Sequence, residues 1–413
     1  MKQGSNHVRV SLFAVCVLFT LSLFTLGGAA HGAKTVKIGI IGPLQEKPGK
    51  AMKQAAIMAA EEINAQGGIL GHEVELAFAD EAFSPEKGIT ALKKLATRDR
   101  VKVVIGGYSS GITLASQDYL PRYKMIYLGV AAASPAITER IKEDYDKYKY
   151  TFRVGNLNAR WLALDTGQFI VNFFGKKLGV EKVAILAEKA KWTEGLVPFL
   201  EGFYRKNGME VVYSEFMDVK TSDFSPIFSK VKSSGAELIV EVTSHIPETF
   251  IKQYHDQRVP VPIAGINVAS QSSDFYEKTG GRCVGEIISN LVFRSPITPK
   301  TVPFWDDYVE RWGTDPIIGS FGTYDAMYIY KLAAEKAGTF DAEKVVPALE
   351  KTDYVGTNGR IAFEEDHDLK FGVDYVTPSW AQWREGGERV IVFPEKYAEG
   401  KPVFPDWIEL PEK

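Results

Sequence analysis

Residues Val36 to Asp80 read VKIGIIGPLQEKPGKAMKQAAIMAAEEINAQGGILGHEVELAFAD, and this stretch decides the fold class. Val36 to Ile41 is a short apolar run that suits a buried strand, and Gly42-Pro43 stops it. From Gly49 a helix-favouring run carries Ala51, Ala55, Ile57, Met58, Ala59 and Ile63. Asn64-Ala65-Gln66-Gly67-Gly68 ends it, because glycine takes the left-handed conformation that closes a helix. Val74 to Phe78 then alternates as the next strand. Strand, loop, helix and strand in this order are one unit of a parallel sheet.

Upstream of this unit, Lys2 and Arg9 form a basic start, Val10 to Leu26 is almost uninterruptedly apolar, and Gly27 to Ala33 is rich in small residues. The three parts predict a signal peptide over residues 1–33, cleaved between His31 and Lys34. A retained anchor is the competing reading, since about 17 apolar residues nearly span a bilayer. No basic stop-transfer cluster follows the run, which favours cleavage. Cys16 lies inside the run, badly placed for lipid attachment, so a soluble exported protein is expected. Without the signal only Cys283 remains, and no intramolecular disulfide can form. Burial as a small apolar side chain is the expectation for Cys283.

Loss of Lys2 and Arg9 takes the net charge from −3 to −5. No basic stripe offers itself to phosphates, which argues against nucleic acid or anionic membrane as a main partner. With 45% hydrophobic and 24% charged residues the composition is that of an ordinary globular protein. The 380 residues after the signal suffice for two cores.

Beyond Asp80 the same rhythm continues. Val101–Ile105, Met125–Val130, Lys182–Leu186, Val211–Glu215, Leu238–Val242 and Val261–Ile266 read as strands. Ile112–Leu120, Ala163–Phe174, Gly195–Lys206 and Phe250–Gln257 read as helices, and Glu139–Tyr145 as a charged surface segment. This alternation predicts parallel sheets with helices on both faces.

The opening unit, with its Gly-Pro loop and its helix ending in Ile63-Asn64-Ala65-Gln66-Gly67-Gly68-Ile69, resembles the periplasmic branched-chain amino-acid-binding proteins, the type I solute-binding components of ABC importers. The resemblance implies an α/β fold of two doubly wound parallel-sheet lobes joined by three crossing segments. The crossings are expected near Phe152-Arg153-Val154, Ser289–Phe293 and Thr357–Ile361. Lobe one is then 34–153 plus 290–358, and lobe two 154–289 plus 359–413. The tail after Trp380 is expected to be irregular. Many relatives carry a disulfide in the first lobe, and Phe83 and Ser109 stand at those two positions here.

Ligands of open α/β sheets bind beyond the carboxyl ends of the strands. Three loops there carry suitable chemistry. In Gly106-Gly107-Tyr108-Ser109-Ser110-Gly111 the glycines allow close backbone approach, and a helix start offers free N–H groups to an anion. A plain helix cap would explain the serines equally well. The resemblance implies a ligand carboxylate here, with Tyr108 and Ser109 beside it and Ser110 at the family's contacting serine. Val130-Ala131-Ala132-Ala133-Ser134-Pro135 is similar to the family loop whose backbone amide, carbonyl and threonine hydroxyl hold the head group. Ala131 and Ala132 keep that backbone, but Ala133 replaces the threonine. In the second lobe the resemblance implies contacts from Trp192 and His245. It also places Asn267 where amino-acid-binding members carry an acid for the ligand ammonium. Without it, a packed aromatic and a solvated histidine are the plainer readings of Trp192 and His245. Glu194 and Glu241 are the substitute counter-charges the sequence offers.

Gly107-Tyr108-Ser109-Ser110-Gly111 also satisfies G-x-S-x-G, which would make Ser109 a hydrolase nucleophile with His367 or His255 as base. Only two clear strands precede the one that leads into it and no oxyanion loop lies upstream, so this reading ranks below binding. No nucleotide loop, zinc motif or cysteine cluster is present, and no cofactor or metal is implied. The expectation is a monomeric periplasmic solute-binding protein that delivers a small organic solute to an ABC permease and ATPase complex at the inner membrane. The solute is expected to be amino-acid-like, a carboxylate or an amide. A ligand-sensing module feeding a receptor is the alternative on the same fold.

Overall fold

The structure is a computed structural model that describes residues 34–372 and 374–411. The signal peptide expected over residues 1–33 lies outside the described residues. Strand β1 (Thr35–Gly42) leads into the helix Lys47–Ala65, which carries Pro48 in its first turn, where a missing N–H costs nothing. Gly67 and Gly68 close it with positive φ, and a Cβ on Gly68 would meet the His72 carbonyl oxygen at 2.0 Å. Strand β2 (Glu73–Asp80) then pairs with β1 in parallel along its whole length, Thr35 opposite Glu73 and Gly42 opposite Asp80. Strands β3 (Val103–Gly106), β4 (Ile126–Gly129) and β5 (Thr151–Arg153) complete a parallel sheet of order β2-β1-β3-β4-β5.

The second sheet is built from β6 (Lys182–Glu188), β7 (Glu210–Met217), β8 (Leu238–Thr243), β9 (Ile263–Asn267) and β10 (Ile287–Asn290), parallel in the order β7-β6-β8-β9-β10. After β10 the chain returns to the first lobe. There Tyr308, on the helix Thr301–Trp312, donates to Gln54 at 2.7 Å, and Tyr328, on Ser320–Ala337, donates to Glu62 at 2.6 Å. A small antiparallel ribbon of β11 (Asp353–Val355) and β12 (Arg360–Ala362) follows these helices. Two parallel-sheet lobes result, with helices on their faces as the alternation predicts and in the two-lobed form that the resemblance implies. Ile38, Ile40 and Val104 are fully buried in one core, Phe228 and Phe250 in the other. Each such side chain contributes about 1.5–3 kcal/mol when taken out of water.

One local expectation is corrected. The tail after Trp380 is irregular only beyond Phe393: β13 (Ser379–Trp383) pairs antiparallel with β10 and β14 (Arg389–Phe393) antiparallel with β13, extending the second sheet with Trp380 and Trp383 buried. SWAQW alternates too little to signal a strand, whereas RVIVF is an apolar run of the same kind as Val36–Ile41 and carries a strand signal. The charged segment Glu139–Tyr145 is at the surface as expected, with only Ile141 buried, and it runs through the end of the helix Ala136–Glu143 into Tyr145–Tyr148. Among the described residues no helix is long and apolar enough to cross a membrane.

Candidate functional site

Loops at the carboxyl ends of both sheets enclose a cavity of about 320 Å³. The first lobe contributes Tyr108, Ser109 and Ser110 after β3, and Ala131 and Ala133 after β4. The second contributes Trp192 after β6, Ser244 and His245 after β8, and Val268 and Gln271 after β9. Seven of the nine expected site residues therefore share one cavity: Tyr108, Ser109, Ser110, Ala131, Ala133, Trp192 and His245. Ala132 and Asn267 are not in its lining.

The first-lobe wall depends on backbone geometry. Gly106 takes φ 141° beside β1, where a Cβ would meet the Ile41 carbonyl oxygen at 1.8 Å. Ser109 precedes the helix Ser110–Gln117, yet its hydroxyl makes no cap bond, which leaves that donor free at the cavity. Ser110 has a different task. Its Oγ accepts from the backbone N–H of Ala133 at 3.2 Å and of Ser134 at 3.0 Å, and so ties the two loops together. Behind them lies Arg153, fully buried, whose Nε donates to Asp368 at 2.8 Å and whose other nitrogens donate to the carbonyls of Ala132 and Ser134. Ala132 faces this anchor, and its methyl packs with Leu114 and Ile137, which removes it from the lining. The Ala131 carbonyl accepts from Asn156 Nδ2 at 2.8 Å and the Ala133 carbonyl from Ala159 N at 2.6 Å. The carbonyls of Ala131, Ala132 and Ala133 thus each have a protein donor already.

The second-lobe wall hangs on Glu188, the last residue of β6, which is fully buried. Its Oε1 accepts from Trp192 Nε1 and faces His245 Nδ1, both at 2.8 Å. Its Oε2 accepts from the backbone N–H of Ser244 at 2.8 Å and of His245 at 2.6 Å. Burial pushes the Glu188 carboxyl up, but His245 and Trp192 outweigh it and hold the group below its ordinary value. The lobes meet directly over the cavity. Tyr108 Oη lies 2.6 Å from Ser244 Oγ, and the Phe83, Tyr108 and His245 rings pack edge-to-face with centroids 5.4–6.0 Å apart. At the rim Lys47 pairs with Asp274 of the other lobe at 2.6 Å.

Asn267 does not reach the ligand side of its sheet. Its amide donates to Glu286 at 2.8 Å and to Glu241 at 3.3 Å, while Ile266, its neighbour on the opposite face, lines the cavity. Period-two alternation explains this: the residue that ends the strand points into the lobe core. Burial and the nearby Glu286 carboxylate push the Glu241 carboxyl well up, so it is no counter-charge for a ligand. Glu194 is exposed and pairs with Lys191 at 2.6 Å. Neither proposed base is near Ser109. His367 Nδ1 lies 2.9 Å from the Thr151 carbonyl and its ring stacks on Phe152, while His255 packs against Trp407.

The lining consequently holds hydroxyls, amides, Lys189, Lys191 and His245 among apolar side chains such as Leu162, Ile266 and Phe321, and contains no Asp or Glu. Glu188, Asn156 and Ser244 escaped the sequence reading. For Glu188 a signal existed, an acid closing an apolar strand at its carboxyl end. Glu81 sits behind the first loop, facing the N–H groups of Tyr108 and Ser109; burial pushes its carboxyl up to about 7 although those N–H groups pull the other way.

The sequence profile of the periplasmic binding protein family matches residues 35–376. The leucine-, isoleucine-, valine-, threonine- and alanine-binding protein of Pseudomonas aeruginosa is 24% identical over 383 residues, covering 92% of this chain and 97% of its own. A branched-chain amino acid transporter substrate binding protein of Streptococcus pneumoniae, solved in complex with isoleucine, superposes with a TM-score of 0.76 at 20% identity, covering 87% of this chain and 100% of its own. A solute binding protein of an ABC transporter from R. palustris, solved in complex with 4-hydroxybenzoate, superposes with a TM-score of 0.74 at 20% identity, covering 91% and 99%.

Proposed function

The chain belongs to the periplasmic binding protein family, and on that premise we propose that it captures a small organic anion between its lobes and delivers it to an ABC importer. One observation carries the reading: a cavity shared by both lobes presents donors from each and no carboxylate from either. A carboxylate ligand meets the free Ser109 hydroxyl and the first amides of the helix Ser110–Gln117. An α-ammonium would meet no acid in the lining, and the carbonyls of Ala131, Ala132 and Ala133 are engaged already; burying a charge without an ionised partner costs roughly several kcal/mol. Trp192, Leu162 and Phe321 suit an apolar body attached to the carboxylate. The preferred solute is therefore an organic acid or its amide that lacks an α-ammonium.

Ligand bound between the lobes favours the closed form, and the permease distinguishes loaded from empty protein by that shape. We place the protein in the periplasm, as a monomer, with a permease and ATPase complex as partner and no reaction of its own. Thermal-shift screening of the purified protein against amino acids, their deaminated acids, amides and aromatic acids tests this, since a bound ligand stabilises by RT ln(1 + [L]/Kd). Stabilisation by organic acids supports the reading. Stabilisation by leucine, isoleucine or valine alone, or hydrolysis of an ester at Ser109, refutes it.

A further inference from the structure

Three cavity residues from two separate loops depend on a carboxylate that is itself outside the lining. We infer that Glu188 is a positioning residue for ligand capture, fixing Trp192, His245 and Ser244 as a single wall. A carboxylate has about four acceptor sites, and here each oxygen faces two nitrogens. Trp192 comes from the loop after β6, and Ser244 and His245 from the loop after β8, so no local turn would hold them together. Among the described residues Glu188 forms no ion pair with Lys or Arg; its partners are the wall residues alone. A buried carboxylate is tolerated only while its donors are in place, which makes the order of the two loops cooperative. Ser244 carries that order across the cleft, because the residue whose N–H bonds Glu188 also meets Tyr108 with its hydroxyl. The side chains that meet the ligand and the contact that holds the lobes together thus share one anchor.

This assignment rests on the cavity being the ligand site, but its first readout needs no ligand. In Glu188→Gln one carboxylate oxygen becomes an NH2 group that confronts N–H donors. Long-range proton–nitrogen NMR of the purified protein reports the His245 ring, assigned by a His245→Asn variant, and the Trp192 indole N–H, assigned by Trp192→Phe. We expect the wild type to carry a proton on His245 Nδ1 and a slowly exchanging Trp192 N–H, and Glu188→Gln to change both signatures. Benzoate, as the probe, should bind about tenfold more weakly to Glu188→Gln, roughly the worth of one charge-assisted hydrogen bond. In a Trp192→Phe background that loss should shrink, since the two residues act through one another. Unchanged resonances, or a loss of affinity that is the same with and without the Trp192 indole, would overturn the assignment. Absence of benzoate binding by the wild type speaks against the ligand class instead, and the two resonances then decide on Glu188 alone. Should Glu188→Gln not fold, Glu188→Asp keeps the charge one methylene shorter and carries the same readouts.

Discussion

The two adjacent serines at the first loop should behave oppositely when replaced by alanine. Ser110→Ala removes the oxygen that accepts from Ala133 N and Ser134 N and leaves both buried donors without it. An unsatisfied buried donor costs about 1–3 kcal/mol, so the two together cost roughly 2–6 kcal/mol. The lower end applies if water enters from the adjoining cavity and takes up one of the donors. Ser109→Ala removes a hydroxyl with no cap bond, and its effect on stability should stay within about 0.5 kcal/mol. Its effect should fall on ligand affinity, by about 0.5–1.5 kcal/mol, with no hydrolytic activity to lose. Urea unfolding gives the stabilities, and hydrogen exchange over residues 130–136 shows whether the second loop has come loose. Full amide protection in Ser110→Ala with unchanged stability would refute the tie between the loops. Covalent labelling of Ser109 by a serine-directed reagent, abolished by Ser109→Ala, would refute the binding reading itself.

Trp192→Ala should weaken ligand binding by roughly 2 kcal/mol or more, as for a central aromatic anchor. Because Trp192 is buried and hydrogen-bonded to Glu188, calorimetric melting should show a stability loss as well; intact affinity in a destabilised variant would make it a core residue only. Glu81 gives a pH prediction. Its folded pKa of about 7 lies above the ordinary 4.5, so the folded state holds the proton more tightly. That stabilisation is fully present below about pH 4.5 and is lost as pH rises through about 7, a change on the order of 3 kcal/mol. Glu81→Gln should therefore be more stable than wild type at pH 8, with the advantage disappearing near pH 4.5; an unchanged pH–stability curve would refute this.

Much of the architecture was legible because its signals are local. The alternation of apolar strands and helices, and the glycine stop at Gly67-Gly68, act within a few residues. The helix Ser320–Ala337 gave no comparable signal, since it is buried on most of its surface, with Gly322, Thr323 and Asp325 among the buried positions, so it lacks a clear polar stripe. At the site, loops at strand ends could be found by position, which brought Ser109, Trp192 and His245 to one cavity. Side-chain direction at a strand terminus could not, and Asn267 turned to the core beside Glu241 and Glu286. The tie made by Ser110 and the anchors Arg153 and Glu188 depend on partners tens to hundreds of residues away, Arg153 on Asp368 among them. No spacing within the sequence displays such pairs.

The most direct test of the account is isothermal calorimetry of the purified protein with leucine and with 4-methylpentanoate, which differ only in the α-ammonium. A cavity lined by donors and free of carboxylates predicts that 4-methylpentanoate binds more tightly than leucine, and that leucine binds weakly or not at all. Leucine binding with micromolar or tighter affinity, and more tightly than its deaminated counterpart, would contradict it.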